Sequence, residues 1–270
     1  MNRNLVHTLC WNFTTEVEKS VKLLYDLNDR NDFNHVIVDL GFPLINDSIP
    51  KDINASIEYN TIILKEMAKK YGSGYLKINN IGVSQNWSIV YDYFKMDDND
   101  ILCCADPDEH PKDKNWVRAI GNVIRADPKY AWVSLAMPEY FPILNKNNTI
   151  EKIVGSERIW EIIENLNWAQ GGFSGKFLNE VGGIPNLDSY PIYGGIEAAS
   201  IYMMEQLGYK WCILPGYIVE HTDYEKGSFG TSKLLREWKN FIIYNIDKFG
   251  QISLEKYLEY KKQGIIWKFL

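Results

Sequence analysis

A short apolar run that ends in two carboxylates constrains this chain more than any other stretch. Ile101-Leu102-Cys103-Cys104-Ala105 is uncharged and bounded by polar residues, which predicts a buried strand. It stops at Asp106-Pro107-Asp108. Side chains at i and i+2 of an extended chain point to the same side. Pro107 fixes the backbone between the two acids and biases Asp106 towards an extended conformation. Asp106 and Asp108 are therefore expected together at a strand's C-terminal end, where open α/β sheets place their ligands. Two hard oxygen donors suit Mg²⁺ or Mn²⁺, above all when a substrate's phosphates complete the shell. Alone, such a pair reads as a solvated acidic turn. The order of the surrounding elements decides between the two.

That order is strand–helix–strand. Leu5 to Trp11 reads as a first strand. Thr14-Thr15-Glu16-Val17-Glu18 opens a helix, with Thr at the cap and acids in the first turn. Val17, Val21, Leu24 and Tyr25 then recur at helical spacing. Asn34 to Leu40 is a second strand, so the pair should be parallel with a right-handed crossover. Asp39 stands at its tip, placed either to meet a ribose or base or to end the strand in a turn. Further helices are expected over 60–71, 87–94 and 116–124, and strands over 75–78 and 130–136.

The second half changes character. Residues 139–156 read as a loop-rich excursion. Gly171-Gly172-Phe173-Ser174-Gly175 lets backbone approach a ligand closely, but no Gly-Lys-Ser/Thr follows to make it a phosphate loop. A helix runs from about Tyr193 to Leu207. Two short strands follow, Trp211 to Pro215 and Tyr217 to His221. His110 precedes Pro111 and is expected at the surface. Residues 233–270 read as a helical tail of mixed charge, which either packs back on the domain or rests on a membrane surface.

Composition narrows the function. A formal net charge of −6 argues against a dedicated nucleic-acid binder, which usually carries a basic patch. The four cysteines form no CxxC pair, so a zinc site is not expected. Three of them lie in apolar runs and fit a reducing compartment. No signal peptide or membrane-spanning run is seen, which predicts a cytoplasmic protein, with attachment to the inner membrane surface left open.

The motifs in this order resemble the family 2 glycosyltransferases with the GT-A fold, over Leu5 to about Asp223. Val38-Asp39-Leu40-Gly41 resembles the family's V-D-x-G turn, and Asn80-Ile81-Gly82 its N-x-G element. Asp106-Pro107-Asp108 sits where the family carries its D-x-D. Gly171-Gly172-Phe173-Ser174 and Glu180-Val181-Gly182-Gly183 are similar to its acceptor-side glycines and "iGG" element. Tyr193-Gly194-Gly195-Ile196-Glu197 resembles the G-x-E-D stretch, and His221 the late histidine.

The resemblance implies an α/β, GT-A-type domain over residues 1–230: a mostly parallel central sheet flanked by helices. Its Rossmann-like nucleotide-sugar-binding half covers 1–110, its acceptor-side half 111–230, and a C-terminal helical extension covers 231–270. It implies Thr8, Trp11, Asp39, Asn80, Gly82 and Asp106 on the donor side. Asp106, Asp108 and His221 would hold Mn²⁺ or Mg²⁺. Gly171, Gly172, Trp168 and Tyr193 would lie on the acceptor side. The implied reaction is metal-dependent transfer of a sugar from a nucleotide-sugar donor, a UDP-sugar favoured, to an acceptor hydroxyl with inversion. The acceptor would be a glycan, a lipid-linked glycan or a protein.

One departure from the pattern matters. The family's Glu-Asp pair is replaced by Ile196-Glu197, followed by Ala198. Glu197 is the general base if it aligns with the Asp. If it aligns with the Glu, the base position is empty and a non-catalytic sugar-nucleotide-binding relative is implied. A sugar nucleotidyltransferase is the third reading, but its Gly-rich start is missing from Trp11-Asn12-Phe13.

Overall fold

A computed structural model describes residues 3–10, 15–41, 53–78, 83–138, 148–163, 170–185, 195–221 and 253–263. Four strands form its first half: β1 (Asn4–Cys10), β2 (Asn34–Asp39), β3 (Gly74–Lys77) and β4 (Ile101–Cys104). They run parallel in the order β3-β2-β1-β4. The connecting helices are α1 (Thr15–Leu27), α2 (Ile53–Tyr71) and α3 (Val83–Phe94). β4 explains its own composition. Ile101 and Cys103 join the core on one face of the sheet and Leu102 and Cys104 join it on the other. A strand buried on both faces needs an unbroken apolar run.

Beneath β1 and β4 sits an ion pair that fixes their relative register. Asp100 is fully buried and accepts from Arg3 Nε at 3.1 Å, Arg3 N–H at 3.1 Å and Asp97 N–H at 2.8 Å. Burial alone would raise this carboxyl, but Arg3 and the two backbone donors hold it below the usual carboxylate range.

The second half adds β5 (Glu109–Pro111), α4 (Trp116–Ala126), β6 (Tyr130–Ala136), β7 (Thr149–Val154), β8 (Glu157–Ile162), β9 (Gly171–Ser174), α5 (Gly175–Val181), α6 (Gly195–Leu207) and β10 (Lys210–His221). The sheet continues β4-β9-β6-β10-β8-β7, with β5 paired to β10 off this path. β9 is antiparallel to both β4 and β6, so it joins the parallel half to the rest. The parallel character is thus concentrated in the first half. α4 buries Trp116, Val117, Ile120, Val123 and Ile124 against one face of the sheet. On the other face lie Trp87 and Val90 of α3, Phe177 and Leu178 of α5, and Ile196 and Met204 of α6.

Four expectations are corrected. Residues 149–162 form a hairpin, β7–β8, turned by Gly155-Ser156, where a loop was expected as far as Ser156. β7 is an edge strand with much of its length solvated, so it lacks apolar alternation. α2 starts at Ile53, seven residues before the expected 60, in a polar stretch without helical periodicity. The two strands expected at 211–221 are one, β10, with a register shift between Leu214 and Ile218. His110 is 1% exposed, not superficial, because β5 lays it against β10.

The chain forms two compact units, Met1–Thr222 and Asp223–Leu270. Among the described residues the second unit contains helix α7 (Leu254–Lys262). No helix among the described residues is long and apolar enough to cross a membrane.

Candidate functional site

The site is built from the end of β4 outwards. Ala105 N–H donates to His7 C=O at 2.8 Å, so the chain stays paired with β1 for one residue beyond the strand. It then turns through Asp106-Pro107-Asp108. Glu109 N–H donates to Asp106 C=O at 3.2 Å, and Ser20 Oγ of α1 donates to the same oxygen at 3.0 Å. At this turn Asp106 and Asp108 are both half-buried residues. β5 follows at once and pairs antiparallel with the end of β10, Glu109 opposite His221 and His110 opposite Glu220. The pairing brings His221 Nε2 to 3.3 Å from Asp108 Oδ2.

The charge balance explains what such a corner suits. Burial, and then the Asp108 charge, push the Asp106 carboxyl up to about 7, while Cys104 and His221 act the other way. Two carboxylates two residues apart concentrate negative charge at this strand end. A divalent cation would balance it, and two carboxylates with one imidazole fit Mn²⁺ or Mg²⁺. Among the described residues, no three His, Cys, Asp or Glu side chains are drawn together closely enough to hold an ion as they stand.

The donor-side residues divide. Asp39, at the end of β2, is fully buried. Its Oδ1 accepts from Gly41 N–H at 2.8 Å, and its Oδ2 from Thr61 Oγ1 at 2.7 Å and Tyr75 Oη at 2.6 Å. A carboxylate so held shapes the turn after β2, and a base contact would have to use its remaining lone pairs. Thr8 is fully buried, and its Oγ1 lies 3.0 Å from His35 Nε2.

Gly171 and Gly172 also have a packing reason. A Cβ on Gly171 would lie 2.5 Å from Val133 O and 2.7 Å from Trp132 Cζ2; one on Gly172 would lie 2.8 Å from Cys103 Sγ. The close approach these glycines allow is between β9 and its neighbours. Trp11, Asn80, Gly82, Trp168 and Tyr193 lie outside the described residues. Of Glu197 the backbone is described, as the third residue of α6. Beside it, Ile196 is buried in the core.

Sequence reasoning missed Glu109. It is buried next to Asp108, and its Oε2 accepts from Gln170 N–H at the entry to β9. The acid directly after the Asp-Pro-Asp turn was the available signal, and only β5 shows that it turns inward.

No family model matches the chain, and no curated protein matches it by sequence. Among solved structures it is similar to GalNAc-T7, in a crystal structure with UDP, GalNAc and Mn²⁺. The TM-score is 0.58 at 15% identity, over 81% of this chain and 43% of that one. It is also similar to the mannosyltransferase PcManGT from Pyrobaculum calidifontis, in complex with GDP-Man and Mn²⁺. There the TM-score is 0.54 at 14% identity, over 88% of this chain and 62% of that one. This chain therefore spans less than two thirds of either neighbour. At these identities the likeness is one of fold, and the fold is that of the GT-A glycosyltransferases.

Proposed function

We propose that the protein is a metal-dependent glycosyltransferase. It moves a sugar from a nucleotide-sugar donor, a UDP-sugar favoured, to an acceptor hydroxyl with inversion. The observation that carries this reading is the meeting of Asp108 and His221, 3.3 Å apart, at the end of β4 in a GT-A sheet. Asp106, Asp108 and His221 are the residues that would hold Mn²⁺ or Mg²⁺. When bound, such an ion supplies positive charge against the diphosphate leaving group.

The chain's own groups would do the rest. Asp39, which holds the turn after β2, would contact the donor, as would Thr8, Trp11, Asn80, Gly82 and Asp106. Glu197 lies in the first turn of α6, where the helix dipole favours an anion. As general base it takes the proton of the acceptor hydroxyl. The acceptor oxygen then bonds to the anomeric carbon, and the bond to the diphosphate oxygen breaks, its electron pair leaving with the phosphate. Trp168 and Tyr193 would face the acceptor, which is a glycan, a lipid-linked glycan or a protein. The proposed setting is the cytoplasm or its membrane surface.

A non-catalytic donor-binding protein is the second reading, favoured by Ile196-Glu197 in place of a Glu-Asp pair. A thermal-shift screen of UDP-, GDP- and other nucleotide sugars, with and without Mn²⁺, tests the proposal. A ligand at 100 times its dissociation constant stabilises by about 2.7 kcal/mol, so a Mn²⁺-dependent shift with one nucleotide class is expected. No shift with any donor would count against both readings. A shift without sugar transfer or donor hydrolysis, unchanged in Glu197→Gln, would favour the binding protein.

A further inference from the structure

We infer that Asp113 is a positioning residue that sets His221 against Asp108, through a side-chain bond to the backbone of β10. The inference rests on the metal-dependent reading above, but its evidence lies outside the proposed ligands.

β10 changes its outer neighbour part-way along. Before the shift, Cys212 and Ile213 pair with Glu161 and Trp160 of β8. After Pro215-Gly216-Tyr217, Val219, Glu220 and His221 pair instead with β5. On its inner side β10 stays with β6, but its register jumps from Leu214 opposite Leu135 to Ile218 opposite Ala136. Ile218 is therefore the residue at which β10 re-enters the sheet, and how it is held sets the start of the segment that pairs with β5 and carries His221.

Asp113 holds it. Ile218 N–H donates to Asp113 Oδ2 at 2.6 Å, and Ile218 C=O accepts from Lys112 N–H at 2.9 Å. Both donor and acceptor of this residue are thus tied to the strap between β5 and α4. The strap is itself anchored: Asn115 N–H donates to Leu27 C=O at 2.7 Å, and Val117 N–H donates to Asn28 Oδ1 at 3.1 Å. Asp113 comes five residues after Asp108, and Ile218 three before His221. The Asp113 bond thus adds a side-chain tie, at the start of the β5–β10 pairing, between the segment carrying the acid and the segment carrying the imidazole. A backbone N–H at a strand kink has no ladder acceptor of its own, and a carboxylate makes a stronger acceptor than a carbonyl. The Lys112–Glu220 pair on the same strap is exposed and would add little.

The test is Mn²⁺ affinity in the presence of UDP, read by paramagnetic resonance. The broadening of the His221 ring signal by Mn²⁺ is read alongside by nuclear magnetic resonance. Asp113→Ala should weaken Mn²⁺ binding about tenfold, as groups outside a metal's direct ligands typically do, and should reduce the broadening at His221. Asp113→Asn keeps an acceptor for Ile218 N–H and should stay within about twofold of wild type. Lys112→Ala should match wild type. If Asp113→Asn falls as far as Asp113→Ala, the residue acts by charge and the inference is wrong. It is also wrong if folded Asp113→Ala binds and broadens like wild type. Asp108→Ala is measured alongside: undiminished Mn²⁺ binding there removes the metal reading itself, a separate failure. Should Asp113→Ala not fold, amide exchange in the wild-type protein decides. Ile218 N–H must be protected like its strand neighbours, and exchange at the rate of an open loop overturns the inference.

Discussion

Gly171→Ala separates a glycine kept for packing from one kept for ligand approach. The added Cβ would meet Val133 O at 2.5 Å, Trp132 Cζ2 at 2.7 Å and Ser134 Cα at 2.9 Å. Two of these three atoms are backbone of β6, which cannot swing aside as a flexible side chain would. Overpacking a filled core costs about 1–3 kcal/mol, and a backbone obstacle puts this change near 3 kcal/mol. For a domain of this size that lowers the melting temperature by about 6–12 °C. Because β9 lies between β4 and β6, the strain falls on the seam between the two halves of the sheet. Thermal and urea unfolding of Gly171→Ala and Gly216→Ala give the assay. Gly216 has nothing within 4 Å of a Cβ, so its substitution should change stability by no more than about 0.5 kcal/mol. If Gly171→Ala unfolds with wild type while donor or acceptor binding is lost, the glycine serves a ligand and the packing argument fails.

Two further predictions concern the base and the buried histidines. Glu197→Gln should leave donor binding intact and slow transfer by roughly two to four orders of magnitude; an unchanged rate in a transfer assay would move the base elsewhere. Burial holds His7 and His35 at about 3, far below the 6.5 of an unfolded chain. Between those values the unfolded chain binds protons that the native one refuses. Stability that is intact above pH 6.5 should therefore decline as pH falls, by up to about 1.4 kcal/mol per pH unit for each histidine. Asp106, raised to about 7, works in the opposite sense over part of that window. Urea unfolding at pH 7.5 and pH 5, with His35→Gln for comparison, reads the slope. A slope that His35→Gln leaves unreduced would mean that His35 is not held neutral.

The parallel half of the fold was legible because its signals are local. β1, β2 and β6 are apolar runs, and α4 repeats its apolar residues at helical spacing with a stop at Asp127-Pro128. The Asp106-Pro107-Asp108 turn and His221 were legible for the same reason, as polar residues ending apolar strands. What could not be read was pairing at a distance. β5 is three residues, Glu-His-Pro, too short for any periodicity, and it is a strand only because the end of β10 lies beside it. That one pairing buries His110, turns Glu109 inward and brings Asp108 to His221. The β7–β8 hairpin carried a signal that went unused: the two-residue Gly155-Ser156 turn between Val154 and Glu157.

The most direct test of the metal-dependent reading is a titration of Mn²⁺ in the presence of UDP or GDP, wild type against Asp108→Ala. The account predicts nucleotide-dependent Mn²⁺ binding in the wild-type protein. In the variant it predicts a loss larger than the roughly 10–100-fold typical of residues outside the metal's direct ligands. Equal binding by the two proteins, or no binding by wild type with either nucleotide, would contradict it.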